Sequence, residues 1–144
     1  MIVYDEILVP TDGSDAALTA VDQGITIATR FDANLHFLYV VNIETEMGAA
    51  AVGEIAGELT ESLEEMAVRA LDEAESRTEG IDVSVERHIV EGVPSESIVN
   101  FGARNDVDLI VIGATGNARL TEEILGSTTD RVAQSANASV LIAR

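Results

Sequence analysis

A short apolar run that ends abruptly in glycine places the strongest constraint on the fold of this chain. Residues 108–112 read Asp-Leu-Ile-Val-Ile, and residues 113–116, which follow directly, read Gly-Ala-Thr-Gly. Such a run is typical of a strand buried on both faces of a sheet. The sequence therefore predicts a buried strand that ends where a glycine-rich loop begins.

The glycine segment has the composition of an anion-binding loop. Glycine leaves no Cβ over the main chain, so Gly113 and Gly116 can present backbone N–H groups to an anion. Nine residues separate Gly116 from Gly126, Ser127 and Thr128, which open a stretch with helical spacing, and a helix start also offers N–H groups. Two such donor groups could hold one polyphosphate. Glycine loops also serve as simple turns, so spacing alone leaves both interpretations open.

The rest of the chain alternates between strand-like and helix-like segments. Apolar runs predict strands within 2–9 and at 34–41, 83–90, 108–112 and 139–143. Apolar residues at three- and four-residue spacing predict helices over 17–31, about 55–77, about 95–102 and after 128. Residues 42–57 lack period and charge over much of their length, which predicts either a loop over the sheet edge or the frayed start of a helix.

This alternation predicts an α/β fold built as one domain over residues 1–144. Crossover connections between the strands favour a three-layer, doubly wound, five-stranded parallel sheet with helices on both faces. In the common strand order 3-2-1-4-5, ligands bind where the winding reverses, between strands one and four. The loops at that point are residues 10–14 and 113–116. The alternating polarity of 83–90 predicts that strand three lies at a sheet edge.

Composition excludes several kinds of chemistry. The chain has no cysteine and no lysine, which rules out disulfides, thiolate metal sites and a lysine Schiff base. Its net charge of −18 at pH 7 repels nucleic acid and, without lysine, suggests adaptation to high salt. With no membrane-length apolar run and no basic start of a signal peptide, we expect a cytoplasmic protein without a membrane partner.

The two histidines do not form a local catalytic or metal-binding motif. His36 falls in the middle of the second predicted strand and His88 in the third, so we expect structural roles for both. Residues 12–15 carry fewer acids than a calcium loop. The sequence therefore predicts no catalytic residue and no intrinsic metal site.

Three ordered motifs resemble the universal stress protein family. They are Leu-Val-Pro-Thr-Asp-Gly-Ser at 8–14, Leu-Tyr-Val-Val at 38–41, and the glycine pattern from Gly113 to Ser127 between two apolar strands. The similarity spans nearly the whole chain. It implies a five-stranded nucleotide fold in a family divided between ATP binders and non-binders, and the glycine pattern is similar to that of the binders.

The resemblance also implies where ATP, ADP or AMP would lie. Pro10, Thr11 and Asp12 would flank adenine and ribose, with Val40 against the adenine. Ile112 and Gly113 would line the ribose side, and Mg²⁺ or Mn²⁺ would arrive with the nucleotide. The phosphates would be held through main-chain N–H and hydroxyl groups of four residues, namely Gly116, Gly126, Ser127 and Thr128.

Two positions depart from the family pattern. Thr115 stands where many members have His or Arg, and Thr128 stands where an apolar residue or Ser is usual. Neither change removes a backbone donor, so the prediction of phosphate binding is kept. Arg119, the basic residue inside the glycine segment, could reach a phosphate or be solvated.

The expected function is that of a sensor or carrier of nucleotide state, with little or no hydrolysis, because Lys and Cys are absent and neither His is well placed. The alternative is a dimeric interaction module that binds no nucleotide. A phosphate-accepting receiver domain would need a Lys after strand five and an acceptor Asp where Glu91 stands. A nucleotidyl transferase would need a Lys or His pair.

The uncharged strand from Val140 to Ala143 predicts a homodimer through that edge.

Overall fold

The computed structural model describes residues 2–42, 54–115 and 125–144, and within them the predicted alternation of strands and helices is confirmed. In chain order the elements are β1 (Glu6–Pro10), α1 (Asp15–Phe31), β2 (Asn34–Val41), α2 (Glu54–Ser76), β3 (Ser84–Glu91), α3 (Pro94–Arg104), β4 (Leu109–Gly113), α4 (Ser127–Ser135) and β5 (Ser139–Ala143). The loop predicted within 42–57 lies largely outside the described residues.

The five strands form one parallel sheet in the order β3-β2-β1-β4-β5, as predicted. Leu8 of β1 pairs with His36 of β2 on one side, and Ile7 pairs with Leu109 of β4 on the other. The winding therefore reverses between β1 and β4. The carboxyl ends of these two strands mark the place where a doubly wound sheet binds ligands.

Each face of the sheet carries its own apolar core. On one face, α1 and α2 bury Val21, Ile25 and Leu71 against Phe37 of β2. The other face is covered by α3 and α4, whose Ile98 and Val132 belong to the same buried cluster as Leu8, Leu38, Ile110 and Ile112. The helices are thus divided between two layers, which confirms the predicted three-layer fold.

The start of the first strand differs from its sequence-based prediction. Residues 2–4 are apolar, yet β1 begins at Glu6, and Ile2 is 73% exposed. The pairing of β1 with β2 begins only at Glu6, opposite Asn34. Local hydrophobicity overestimated this strand because a strand also needs a neighbour to pair with.

Ion pairs tie α2 to its surroundings. Arg87 of β3 donates to Asp72 and Glu75 of α2, both at 2.8 Å, and Arg77 lies 2.7 Å from Asp22 of α1. The hydrogen bonds to Glu75 and then Asp72 raise the pKa of Arg87, so it stays charged. Within the described ranges, none of the helices is both long and apolar enough to cross a membrane.

Candidate functional site

A cavity of about 870 Å³ opens at the carboxyl ends of β1 and β4, where the winding of the sheet reverses. This volume is within the range of small-molecule and cofactor sites. Among the described residues, nine of the ten predicted site residues line it: Pro10, Thr11, Asp12, Val40, Ile112, Gly113, Gly126, Ser127 and Thr128. The tenth, Gly116, lies outside the described residues, as does Arg119.

The loop after β1 is held by one hydrogen bond to β2 and by two short-range hydrogen bonds of its own. The Thr11 N–H donates to the Leu38 carbonyl at 2.9 Å, and the Thr11 hydroxyl accepts from the Gly13 N–H at 3.2 Å. Oδ1 of Asp12 accepts from the Ser14 N–H at 3.0 Å. Gly13 has φ = +82°, a left-handed conformation that favours glycine. The loop therefore holds Thr11 buried and presents Asp12 at the exposed mouth of the cavity.

Gly113 lets the end of β4 approach the first turn of α1 closely. A Cβ placed at this residue would lie 2.7 Å from the carbonyl oxygen of Ala16 and 2.8 Å from its carbonyl carbon. Both atoms belong to the main chain, which cannot move aside easily. Gly113 is thus required by packing, in addition to any contact it makes with a ligand.

The structure gives the Gly126 N–H a different partner from the predicted phosphate. It donates to the Ala114 carbonyl at 2.8 Å, while the Ala114 N–H donates to the Ala143 carbonyl of β5 at 3.0 Å. These bonds join the loop after β4 to both β5 and the start of α4. Gly126 therefore positions the helix start, and its N–H is already used.

The N-terminus of α4 borders the cavity with Ser127, Thr128, Thr129 and Asp130. The N-cap residue is Gly126, which has no side chain with which to satisfy the first N–H groups. By contrast, α1 is capped by the Ser14 hydroxyl, which accepts from the Ala17 N–H. Since the first N–H groups of a helix have no partner within it, the start of α4 is suited to bind an anion.

The opposite side of the cavity is apolar. Its wall is formed by Leu38 and Val40 of β2, Ile98 of α3 and Ile112 of β4. These side chains are part of the core under α3 and α4 or pack against it, so the wall is rigidly supported. The cavity therefore joins a surface suited to a flat apolar ring with a helix start suited to phosphate.

Charge at the cavity comes from acids. Among the lining residues that the structure describes, none is basic, whereas Asp12 and Asp130 contribute carboxylates. One carboxylate oxygen of Asp130 accepts from the Gln134 side chain at 3.1 Å. The described lining therefore offers an anion backbone and hydroxyl donors but no basic side chain.

Thr129 lines the cavity although no sequence motif singled it out. Its side chain is buried, and its hydroxyl donates to the Gly113 carbonyl at 2.7 Å. Pro94, Ile98 and Leu38 also line the cavity without having been predicted. Their contribution depends on how α3 and α4 pack on the sheet, and the only local signal was the polar run Ser127–Thr129 at a helix start.

A second polar cluster lies on the same face of the sheet but nearer the amino ends of the strands. Nδ1 of His36 is 3.1 Å from Nε2 of His88, and Nε2 of His36 is 2.7 Å from a carboxylate oxygen of Glu6. A carboxylate oxygen of Glu86 lies 3.3 Å from His36 Nδ1 and 3.7 Å from His88 Nε2. The two histidines, separated in sequence, are therefore direct neighbours in the sheet.

The surroundings of this cluster shift two pKa values. Burial lowers the pKa of His88, the charge of His36 lowers it further, and Glu86 opposes both. Burial alone would raise the pKa of Glu6, but hydrogen bonds from Asn34 and His36 outweigh it, so the pKa lies below its usual value. Glu6 is therefore an ionised acceptor for His36 near neutral pH.

The fold and the cavity together define a doubly wound α/β protein with a ligand site at its topological switch point. Residues 4–144 match the model of the universal stress protein family, and the chain belongs to that family. This confirms the resemblance inferred from the sequence motifs.

Relatives and solved structures agree with this assignment. The universal stress protein MJ0531 of Methanocaldococcus jannaschii is 38% identical over 144 residues, which cover 99% of this chain and 83% of the relative. Universal stress protein UspA from Lactobacillus plantarum has a TM-score of 0.86 and 33% identity over 100% of both chains. A universal stress protein solved in complex with cAMP has a TM-score of 0.69 and 26% identity, covering 99% of this chain and 98% of that one.

Proposed function

We propose that the cavity binds ATP or another adenine nucleotide and that the protein acts as a sensor or carrier of nucleotide state. The observation that carries this proposal is the pairing of an apolar wall, which includes Val40 and Ile112, with the α4 N-terminus in one cavity. Adenine fits the first and phosphate the second. A related protein was solved in complex with cAMP, which also contains adenine and phosphate.

In this proposal each part of the site has a separate role. Thr11 and Asp12 lie beside the ribose and base, and Val40 supports the adenine ring. The N–H groups at the start of α4, together with the Ser127 and Thr128 hydroxyls, hold phosphate. Mg²⁺ or Mn²⁺ enters with the nucleotide, because the described lining supplies no basic side chain.

Two substitutions at Ser127 can isolate the backbone contribution to binding. Ser127→Pro removes one N–H at the first helical position, where proline is tolerated, and Gly126 already has the extended conformation (φ −60°, ψ 151°) that proline requires before it. Ser127→Ala keeps the N–H and removes only the hydroxyl. We expect Ser127→Ala to cost about 1 kcal/mol of binding and Ser127→Pro to weaken binding by a further 10- to 100-fold, roughly the value of a hydrogen bond to a charged group.

Calorimetry in molar salt, with and without Mg²⁺, measures these affinities, and mass spectrometry identifies any nucleotide that co-purifies with the native protein. The proposal predicts saturable binding of an adenine nucleotide to the wild type. A folded protein that shows no heat and carries no nucleotide would instead support the interaction module without nucleotide.

We also propose that two copies associate through β5. Within the described residues this strand pairs with β4 on one side, and Leu141 is 36% exposed. Val140, Leu141 and Ile142 give the strand an apolar surface without charge. An apolar strand edge favours pairing with a second chain, and a two-fold arrangement would close both edges.

A further inference from the structure

His36, Glu86 and His88 converge on one point because of the register between β2 and β3. His36 pairs with Glu86, and Leu38 pairs with His88, so the three side chains occupy the same sheet face on adjacent strands. One donor atom from each lies within 4.8 Å of the others. We propose that these residues form a binding site for a divalent transition metal ion of the zinc class, separate from the nucleotide cavity.

The spacing of the donors fits zinc coordination. The three distances are 3.1 Å between His36 Nδ1 and His88 Nε2, and 3.3 and 3.7 Å from Glu86 to these two nitrogens. In a tetrahedral site with metal–ligand distances of about 2.0–2.2 Å, donors lie about 3.3–3.6 Å apart. The described positions therefore form one face of such a site with only small side-chain adjustments.

Glu6 prepares His36 to be a ligand. A carboxylate oxygen of Glu6 lies 2.7 Å from Nε2 of His36, a hydrogen-bond distance at which this nitrogen carries the proton and donates it to the carboxylate. The lone pair is then on Nδ1, the nitrogen that faces His88 and Glu86. A carboxylate that accepts from the distal nitrogen of a histidine is the usual second partner of a metal-bound imidazole.

The three proposed ligands differ in burial, so the site is buried at His36 and exposed to solvent at Glu86. The His36 side chain is 8% exposed, whereas those of His88 and Glu86 are 27% and 67% exposed. The Phe101 ring of α3 packs against both imidazoles, with centroids 6.0 Å from His36 and 4.6 Å from His88. An ion held by the three donors would have solvent on its remaining side, which leaves a position for water.

The donor set selects the class of metal. Imidazole nitrogen suits zinc, cobalt, nickel and copper, whereas Mg²⁺ and Ca²⁺ prefer oxygen donors throughout. Two imidazoles and one carboxylate with an open position match a zinc site with three protein ligands. Binding would add a connection between the already paired strands β2 and β3. The proton shared by the two facing histidine nitrogens would move to Nδ1 of His88 or to solvent.

The test uses Co²⁺ as a visible probe on the nucleotide-free protein. The buffer contains about 1 M NaCl, where the Debye length of ~3 Å suppresses loose attraction of cations to the acidic surface. We expect one Co²⁺ per chain with the intense visible absorption of four-coordinate cobalt, and displacement of that signal by Zn²⁺. The absence of these bands from the folded protein would overturn the proposal.

Variants connect the signal to the site. His88→Gln and Glu86→Gln each remove a ligand. Glu6→Gln removes the carboxylate that accepts from His36, and for this variant we expect a 10- to 100-fold loss of Co²⁺ affinity, the usual effect of losing a hydrogen-bond partner of a metal ligand. The ligand variants should lose at least as much. Glu91→Gln, at the far end of β3, is the matched control and should leave affinity unchanged.

Circular dichroism confirms that each variant is folded before metal is added. If His88→Gln does not fold, Glu86→Gln decides the outcome, since the Glu86 side chain is 67% exposed and its loss should not affect folding. A Co²⁺ affinity that stays at the wild-type value in folded Glu86→Gln would overturn the proposed ligand set.

Discussion

The hydroxyl of Thr129 donates a 2.7 Å hydrogen bond to the carbonyl oxygen of Gly113 across a separation of 16 residues. Thr129 lies in the first turn of α4, and Gly113 is the last residue of β4. Both border the cavity. This bond fixes the start of α4 relative to the end of the strand and so sets the distance between the two sides of the site.

Thr129→Val should destabilise the protein without changing the shape of the side chain much. The substitution leaves the Gly113 carbonyl without its hydroxyl donor in a buried place, which costs about 1–3 kcal/mol of the free energy of unfolding. Urea denaturation measures this change. Thr128→Val, at the neighbouring half-buried position, is the control and should stay within about 0.5 kcal/mol of wild type. Equal effects of the two variants would contradict the assigned role of Thr129.

Gly113 and Gly102 should respond to alanine in opposite directions. A Cβ at Gly113 meets the main chain of Ala16 at 2.7 Å, so Gly113→Ala should destabilise the protein by about 1–3 kcal/mol. At Gly102, in α3, a Cβ would make ordinary contacts of 3.7 and 3.8 Å, and Gly102→Ala should stabilise the protein by about 0.5–1 kcal/mol. Thermal and urea unfolding of both variants provide the comparison, and a harmless Gly113→Ala would refute the packing argument.

Salt should stabilise the folded chain. The net charge of −18 creates self-repulsion, which weakens as the Debye length falls from ~10 Å at 0.1 M to ~3 Å at 1 M salt. We therefore expect the thermal midpoint to rise by several degrees between these two NaCl concentrations. Scanning calorimetry of the nucleotide-free protein measures it. A midpoint that does not change would count against adaptation to high salt.

Turnover of bound ATP should be absent or very slow. The described lining of the cavity includes no Lys, Cys or His, and both histidines lie in the separate cluster toward the amino ends of the strands. Phosphate release should therefore stay far below the 1–10³ s⁻¹ typical of enzymes. Ser127→Pro, which we expect to weaken nucleotide binding, serves as the background control. Rapid release by the wild type that this variant abolishes would identify the protein as an ATPase.

Proline in β5 should separate dimerisation from folding. The Ala143 carbonyl accepts from the Ala114 N–H, so the backbone N–H and C=O of Ala143 point toward β4. Because these groups alternate along a strand, those of Leu141 also point toward β4, whereas those of Val140 point to the free edge of the sheet. Val140→Pro should give a folded monomer in sedimentation experiments, because it removes only an outward N–H. Leu141→Pro should destabilise the fold itself. A wild-type monomer, or a dimeric Val140→Pro protein, would place any interface elsewhere.

The sequence predicted best those features that depend on local pattern. The bounds of β2 and β5 agree with the predicted 34–41 and 139–143, since each apolar run has clear polar or turn residues at its ends. The alternation of elements predicted a doubly wound sheet, for which the common strand order 3-2-1-4-5 was adopted. The loops at the reversal point indicated where a ligand would lie, and the individual site residues followed from the resemblance to the universal stress protein family. These inferences needed no knowledge of individual side-chain contacts.

What the sequence could not predict depends on register and packing. The contact between His36 and His88 exists because β3 aligns His88 with Leu38, and nothing near either histidine specifies that alignment. The hydrogen bond from the Gly126 N–H to the Ala114 carbonyl likewise joins the two ends of a loop, and no local pattern specifies it. Thr129 resembled any polar residue at a helix start until α4 was placed against β4.

The pairing of β1 with β4 also has a consequence for how the molecule folds. The Asp108 carboxylate accepts from the Asp5 N–H at 2.9 Å, across 103 residues of chain. Contacts of such sequence separation slow folding, because a long loop must close before they form. During synthesis β1, β2 and β3 emerge well before β4, and the first turn of α4 emerges later still. A nascent chain stopped before residue 125 would possess most of the sheet but lack the helix start beside the cavity, so nucleotide retention should distinguish it from a chain that extends through α4.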